Sequence, residues 1–200
     1  GWTTVVVNTT ADTVDVDPGD GLFADADGNT SLRAAIMEAN ALGESTHIVL
    51  SDATYELSIV GREEEDSATG DLDIKVPLKI TGLGADKTVI DGTDQDRIFH
   101  LPDTAMGSLA LHDLTITNGS TDNYNAAAYA GGIFNASGGN LLIDAVHITN
   151  NYGDYIGGGI VHNENPCIDR ENHGTLTIKN SAITSNSDRH DNGGVYLFGG

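Results

Sequence analysis

The sequence predicts an all-β fold, a parallel β-helix on which a single amphipathic α-helix packs. Three observations carry the prediction. An apolar pattern recurs at Leu109-x-Leu111-x-x-Leu114-x-Ile116, Leu141-x-Ile143-x-x-Val146-x-Ile148 and Leu176-x-Ile178-x-x-Ser181-x-Ile183, with a weaker copy at Leu78-x-Ile80-x-x-Leu83; the copies start 31, 32 and 35 residues apart. A period of that size is the signature of a solenoid or a propeller. Within each copy the apolar residues alternate as in strands and show no helical stripe, and propeller blades need about 40 residues or more. The third observation is a marker after each of the last three copies: Gly131-Gly132-Ile133, Gly158-Gly159-Ile160 and Gly193-Gly194-Val195. Leucine-rich repeats are shorter and close their strands differently, which leaves the parallel β-helix.

Taken in order, Thr3–Val7 reads as a strand from its β-branched content. Asp12 to Thr30 reads as loop, with six Asp, three Gly and a Pro in 19 residues. Residues 31–42 form the one convincing helix. Leu32, Ala35, Ile36 and Ala39 make an apolar stripe, Thr30 or Ser31 caps the start, and Gly43 ends it. A helix of this length must pack on something already built. Beyond Gly43 come short alternating runs at 48–50, 55–59, 78–80 and 97–101, and then the repeats. The double glycines suit a tight corner where a Cβ would clash or φ is positive. Asn118 and Asn150 hold the same offset in successive copies and are expected to stack as an inward amide ladder. The organisation expected is one domain over 1–200: a strand, Asp-rich loop and capping helix in 1–45, coils in 46–200, and a stalk that extends further.

Composition narrows the function. Asp and Glu number 30 against 9 Lys and Arg, a formal charge of −21. No basic cluster exists to engage a phosphate backbone, so nucleic acid is not an expected partner. Anionic membrane surfaces are disfavoured for the same reason, and no apolar run approaches a membrane span. The repeated Val, Ile and Leu distinguish the chain from an acidic disordered tail. One cysteine, Cys167, excludes a disulfide framework within the chain and leaves a reduced thiol or a bond between chains. A start at Gly1-Trp2 suggests a processed or excised chain.

The segment Gly28-Asn-Thr-Ser-Leu-Arg-Ala-Ala-Ile-Met-Glu-Ala-Asn40 resembles the CSLREA-type N-terminal motif of large bacterial and archaeal surface proteins. Ala11–Asp15, Pro18–Gly21, Gly70–Ile74 and Asp96–Phe99 are similar to its flanking blocks. The resemblance implies a right-handed, single-stranded parallel β-helix whose N-terminal end the helix caps. It also implies secretion or surface display with adhesive or structural roles, and no established reaction. The sequence departs from the motif at Ala34, where the motif has Glu. Phe23 and Thr30 stand near the places where the family often carries cysteines, so something other than a disulfide must order residues 12–30.

Two acidic clusters invite a cation. Asp15, Asp17, Asp20, Asp25 and Asp27 crowd one loop, and Ca²⁺ prefers such oxygen ligands. The loop is no EF-hand, because Gly28 falls at the fourth position and Ile36 stands where the last ligand belongs. Charge ahead of a helix N-terminus and Asp-Gly turns account for the same residues without metal. Glu63–Asp66 with Asp71 and Asp73 is the second cluster; a fold-back would let Asp71 and Asp73 share a cation with Asp66. Parallel β-helices also host polysaccharide lyases and epimerases, which need a base and a means of neutralising uronates. Only Arg170, Arg189 and Lys179 lie near the later coils, and His147, Asp144 and Tyr152 form the one acid–base set that can be written. The expectation is a non-enzymatic extracellular or cell-surface protein with a homotypic end-to-end contact and a carbohydrate or host-surface ligand. The alternative is a carbohydrate-active enzyme or polysaccharide-binding module.

Overall fold

The computed structural model describes residues 1–62, 64–122, 128–162, 174–190 and 193–198. The chain opens with β1 (Thr3–Val6), crosses the Asp-rich loop and enters α1 (Leu32–Leu42). It then winds as stacked coils. The first holds β2 (Thr46–Val49), β3 (Thr54–Glu56) and β4 (Leu72–Asp73), the next β5 (Pro77–Thr81), β6 (Val89–Asp91) and β7 (Phe99–Leu101). After them come β8 (Ser108–Thr117) and β9 (Ile133–Asn135), then β10 (Leu141–Thr149), β11 (Tyr152–Gly153) and β12 (Ile160–His162). The last described coil holds β13 (Leu176–Lys179), β14 (Ala182–Thr184), β15 (Ser187–Asp188) and β16 (Val195–Leu197). Every pairing is parallel and joins one coil to the next, as a parallel β-helix requires.

The repeats set the register. Leu78, Leu109, Leu141 and Leu176 stack in one column, and Ile48, Ile80, Leu111, Ile143 and Ile178 in another. Leu72, Phe99, Ile133, Ile160 and Val195 form the column of the opposite sheet. As far as Leu141, Ile143 and Ile160 these side chains are buried in one continuous core, on which Leu176 packs, while Ile178 and Val195 of the last described coil are partly exposed. α1 closes that core at its N-terminal end, packing on β2 and β4 through Leu32, Ala35, Ile36 and Ala39. Ser31 caps it by accepting from the Ala34 N–H at 2.9 Å, and Gly43 ends it in the left-handed conformation at φ 69°.

One expectation about corners holds in its first form and another is corrected. Gly131, Gly132, Gly158, Gly159 and Gly193 are needed for space and not for positive φ: a Cβ on Gly132 would stand 2.3 Å from the Gly159 carbonyl oxygen, and one on Gly159 2.6 Å from that of Gly194, whereas Gly194 itself has open space beside it. The left-handed corners fall instead on Asp113, Asn118, Ala145, Asn150, Asn180 and Ser185, at two recurrent offsets of the repeat. Asn118 and Asn150 are therefore corner residues, and Asn150 is exposed. The inward amide ladder exists one position later: buried Asn151 donates to the Asn186 Oδ1 at 2.9 Å, and Asn186 donates to the Ile148 carbonyl at 2.9 Å. Gly119 takes that place in the preceding coil and donates its N–H to the Asn151 Oδ1.

Candidate functional site

The Asp-rich loop is held by the helix. Glu38 is buried on α1, and its two carboxylate oxygens accept the Gly19 and Gly21 N–H groups. Arg33, equally buried, makes a bidentate pair with Asp12 at 2.6 and 3.1 Å. Its other donors reach the carbonyls of Ser67 (2.9 Å), Gly70 (2.8 Å) and Asp71 (3.4 Å). Asp12 also accepts the Ser58 and Ile59 N–H groups. One guanidinium thus fastens helix, acidic loop and the segment leading into β4 together. Rotation of about 100° per residue places Arg33 and Glu38 on either side of the apolar stripe. That flanking placement is the sequence signal for their roles.

The five predicted Ca²⁺ ligands occupy different environments. Asp17, Asp20 and Asp27 are exposed, and Asp15 and Asp25 are buried. Asp25 accepts from the Asn29 N–H (2.8 Å), the Asp27 N–H (3.0 Å) and the Thr13 hydroxyl (2.8 Å). These donors, Asn29 foremost, hold its carboxyl below the usual range. Asp15 accepts the Asp17 N–H at one oxygen, while its buried Oδ2 has no hydrogen-bond partner. Burial, with the Glu38 and Asp20 carboxylates adding to it, raises the Asp15 carboxyl. Among the described residues, no three of the five bring ligand atoms within 4.8 Å of one another.

The second acidic cluster does converge, with a different third member. Asp73 on β4 stands opposite His100 on β7, and their side chains meet at 2.9 Å between Oδ1 and Nδ1. The other Asp73 oxygen accepts the Ser67 N–H at 3.1 Å. Asp71 pairs with the Arg97 Nε at 2.8 Å. Burial lifts the Asp71 carboxyl well above the ordinary range; Arg97 opposes this, and Asp73, Asp96 and Glu64 add to it. Gly70 makes the approach possible, since a Cβ there would lie 2.4 Å from the Gly61 carbonyl oxygen and 2.5 Å from Asp96. Asp66, expected to share a cation with these carboxylates, is exposed and pairs with Lys75 at 2.6 Å. Only strand register reveals His100 as the partner. In sequence it is one outward residue between inward Phe99 and Leu101.

Aromatic side chains continue from this point along the outer face. The His100 ring lies parallel to that of Phe134, centroids 5.3 Å apart, and the Arg97 guanidinium sits 5.4 Å over the same ring. Tyr129 stacks on Phe134, and Tyr155 and Phe198 meet Tyr129 edge-on. Two members of the acid–base set expected from the sequence are bonded to other groups. His147 bonds the Thr184 hydroxyl at 3.0 Å, and Asp144 is engaged by Lys179 and Asn180. Cys167 and Arg170 lie outside the described residues.

Comparison with protein-family models, with curated proteins and with solved structures returns no match. The chain is defined by its fold, a parallel β-helix with one helix.

Proposed function

We propose that the chain is a non-enzymatic structural and adhesive β-helix of the cell exterior, and that it associates end to end through its last described coil. The observation that carries this is the exposure of a core column. Ile178 is 40 % and Val195 38 % exposed, whereas Ile143 and Ile160 in the coil before are fully buried. Among the described residues, β13, β14 and β16 are paired on one side only, and an unpaired strand edge is a template for another chain. A contact between unlike ends is heterologous and propagates as a filament. The CSLREA-type resemblance supports the extracellular setting. The ionisable groups that the fold brings together are engaged in bonds between coils and loops, which supports a structural role. The cluster of Tyr129, Tyr155 and Phe198, apolar rings with polar tips on two of them, suits a carbohydrate or host-surface ligand.

Sedimentation of the full chain over a range of concentrations tests the proposal. Self-association is expected to grow with concentration, and with added salt as the net charge of −21 is screened. The double variant Ile178→Lys, Val195→Lys is expected to remain monomeric with the melting temperature of the parent. A parent chain that is monomeric throughout would remove end-to-end association from the reading.

A further inference from the structure

Asp71, Asp73 and His100 each offer a ligand atom within 4.8 Å of the others. Ligands bound tetrahedrally to one zinc-sized ion at about 2.0–2.2 Å stand roughly 3.4 Å apart, so side-chain shifts of up to about 1.4 Å would close the set. These side chains also differ from an ordinary surface cluster. Asp71, Asp73 and neighbouring Asp96 are all buried, and Arg97 is the guanidinium set among them. Three carboxyl groups share one guanidinium here, with little water to stabilise charge on the others. A divalent cation would stabilise their ionised form.

The ligand types select the kind of ion. Imidazole suits zinc and its first-row neighbours, while Ca²⁺ and Mg²⁺ favour oxygen alone. The imidazole is already oriented, because Phe134 stacks flat against it. Its side chain keeps 14 % of its surface in solvent, so the cluster is not sealed from it. On binding through Nδ1, the neutral ring carries its proton on Nε2. Arg97 remains on the Asp71 Oδ2, as an outer partner of a ligating carboxylate does.

We propose that Asp71, Asp73 and His100 bind a divalent transition cation of the zinc type, which ties the segment 64–71 and β4 to β7. This site is independent of the end-to-end contact and of the Asp-rich loop.

The test is calorimetric titration of the full chain with Zn²⁺ after chelator treatment, with Co²⁺ absorption reporting the ligand field. One saturable equivalent is expected, accompanied by a rise in melting temperature. His100→Gln keeps a donor toward Asp73 but has no imidazole, and it is expected to weaken binding at least tenfold and abolish the rise. His112→Gln, which removes a histidine paired with Asp144, is expected to leave both unchanged. If His100→Gln does not fold, a Zn²⁺-induced shift of the His100 ring nitrogen resonances in the parent chain decides the matter. No saturable binding, binding retained in His100→Gln, binding lost in His112→Gln, or unmoved His100 resonances would each overturn the site.

Discussion

Arg33 shows how much one side chain can carry in this fold. It is fully buried, faces a buried carboxylate, and satisfies three carbonyls of a segment that has no strand partner of its own. Breaking a buried pair by removing one partner costs about 3–5 kcal/mol, because the other charge stays behind. Arg33→Met preserves most of the volume and leaves Asp12 and the carbonyls of Ser67, Gly70 and Asp71 without the guanidinium. Urea denaturation of this variant is expected to show a loss of that size, which is a large part of a total near 5–15 kcal/mol. A loss below about 1 kcal/mol would mean that water replaces the guanidinium at these carbonyls.

Two other residues set a dependence on pH. His47 and His112 lie on the outer face of the long sheet, where burial and the Lys79 ammonium lower both imidazoles from their ordinary value of 6.5; Asp144 and Asp113 partly offset this at His112. The folded state therefore prefers them neutral. Their contribution is fully present above about 6.5 and is lost as pH falls from there toward the lower folded values, since the unfolded chain takes up the protons first. The parent is expected to lose more stability between pH 8 and pH 5.5 than the double variant His47→Gln, His112→Gln, read as the shift in urea midpoint. Equal shifts in the two proteins would assign the acid sensitivity elsewhere.

At the scale of elements, the Asp-rich loop and α1 behave as a unit. Glu38, Arg33 and the Ser31 hydroxyl, which donates to the Thr13 carbonyl at 2.6 Å, do the tethering that cysteines do in the family the motif resembles. The sequence expects a Ca²⁺ ion in this loop, and Asp15, whose buried Oδ2 has no hydrogen-bond partner, is the residue at which to test it. Without metal, Asp15→Asn removes a desolvated charge that Glu38 and Asp20 repel, so the variant is expected to melt higher than the parent in chelator. In millimolar Ca²⁺ at matched ionic strength the order is expected to reverse, because only the parent gains from the ion. Parent melting that does not respond to Ca²⁺ would leave the loop as hydrogen-bonded surface.

At the scale of the whole molecule, columns of like residues join successive coils, and each column is as good as its neighbours above and below. Quasi-one-dimensional stability follows: interior coils are buttressed on both sides, the first by α1, and the last described coil on one side alone. In the end-to-end association we propose, the exposed column and the net negative charge act in opposite directions. The first favours stacking and the second keeps molecules apart, so ionic strength is the variable that sets the balance.

The amino-acid sequence by itself determined the coil. A repeat of apolar positions near 30 residues, alternation within each unit and paired glycines where Cβ atoms cannot fit leave one architecture, and the helical stripe at Leu32, Ala35, Ile36 and Ala39 says that one helix must lie on it. These signals are legible because they are local or periodic. The asparagine ladder was half legible: Asn186 stands one place beyond the offset of Asn118 and Asn150, and that displacement marks the true ladder with Asn151. The site was legible in part. Asp71 and Asp73 were expected to share a cation, with Asp66 as the third member, whereas His100 belongs to a strand 27 residues beyond Asp73. Their convergence depends on which residue of β4 faces which residue of β7. A register of that kind is fixed by the stacking of Leu72 on Phe99 in the core, so only the tertiary structure decides which outward-facing groups meet.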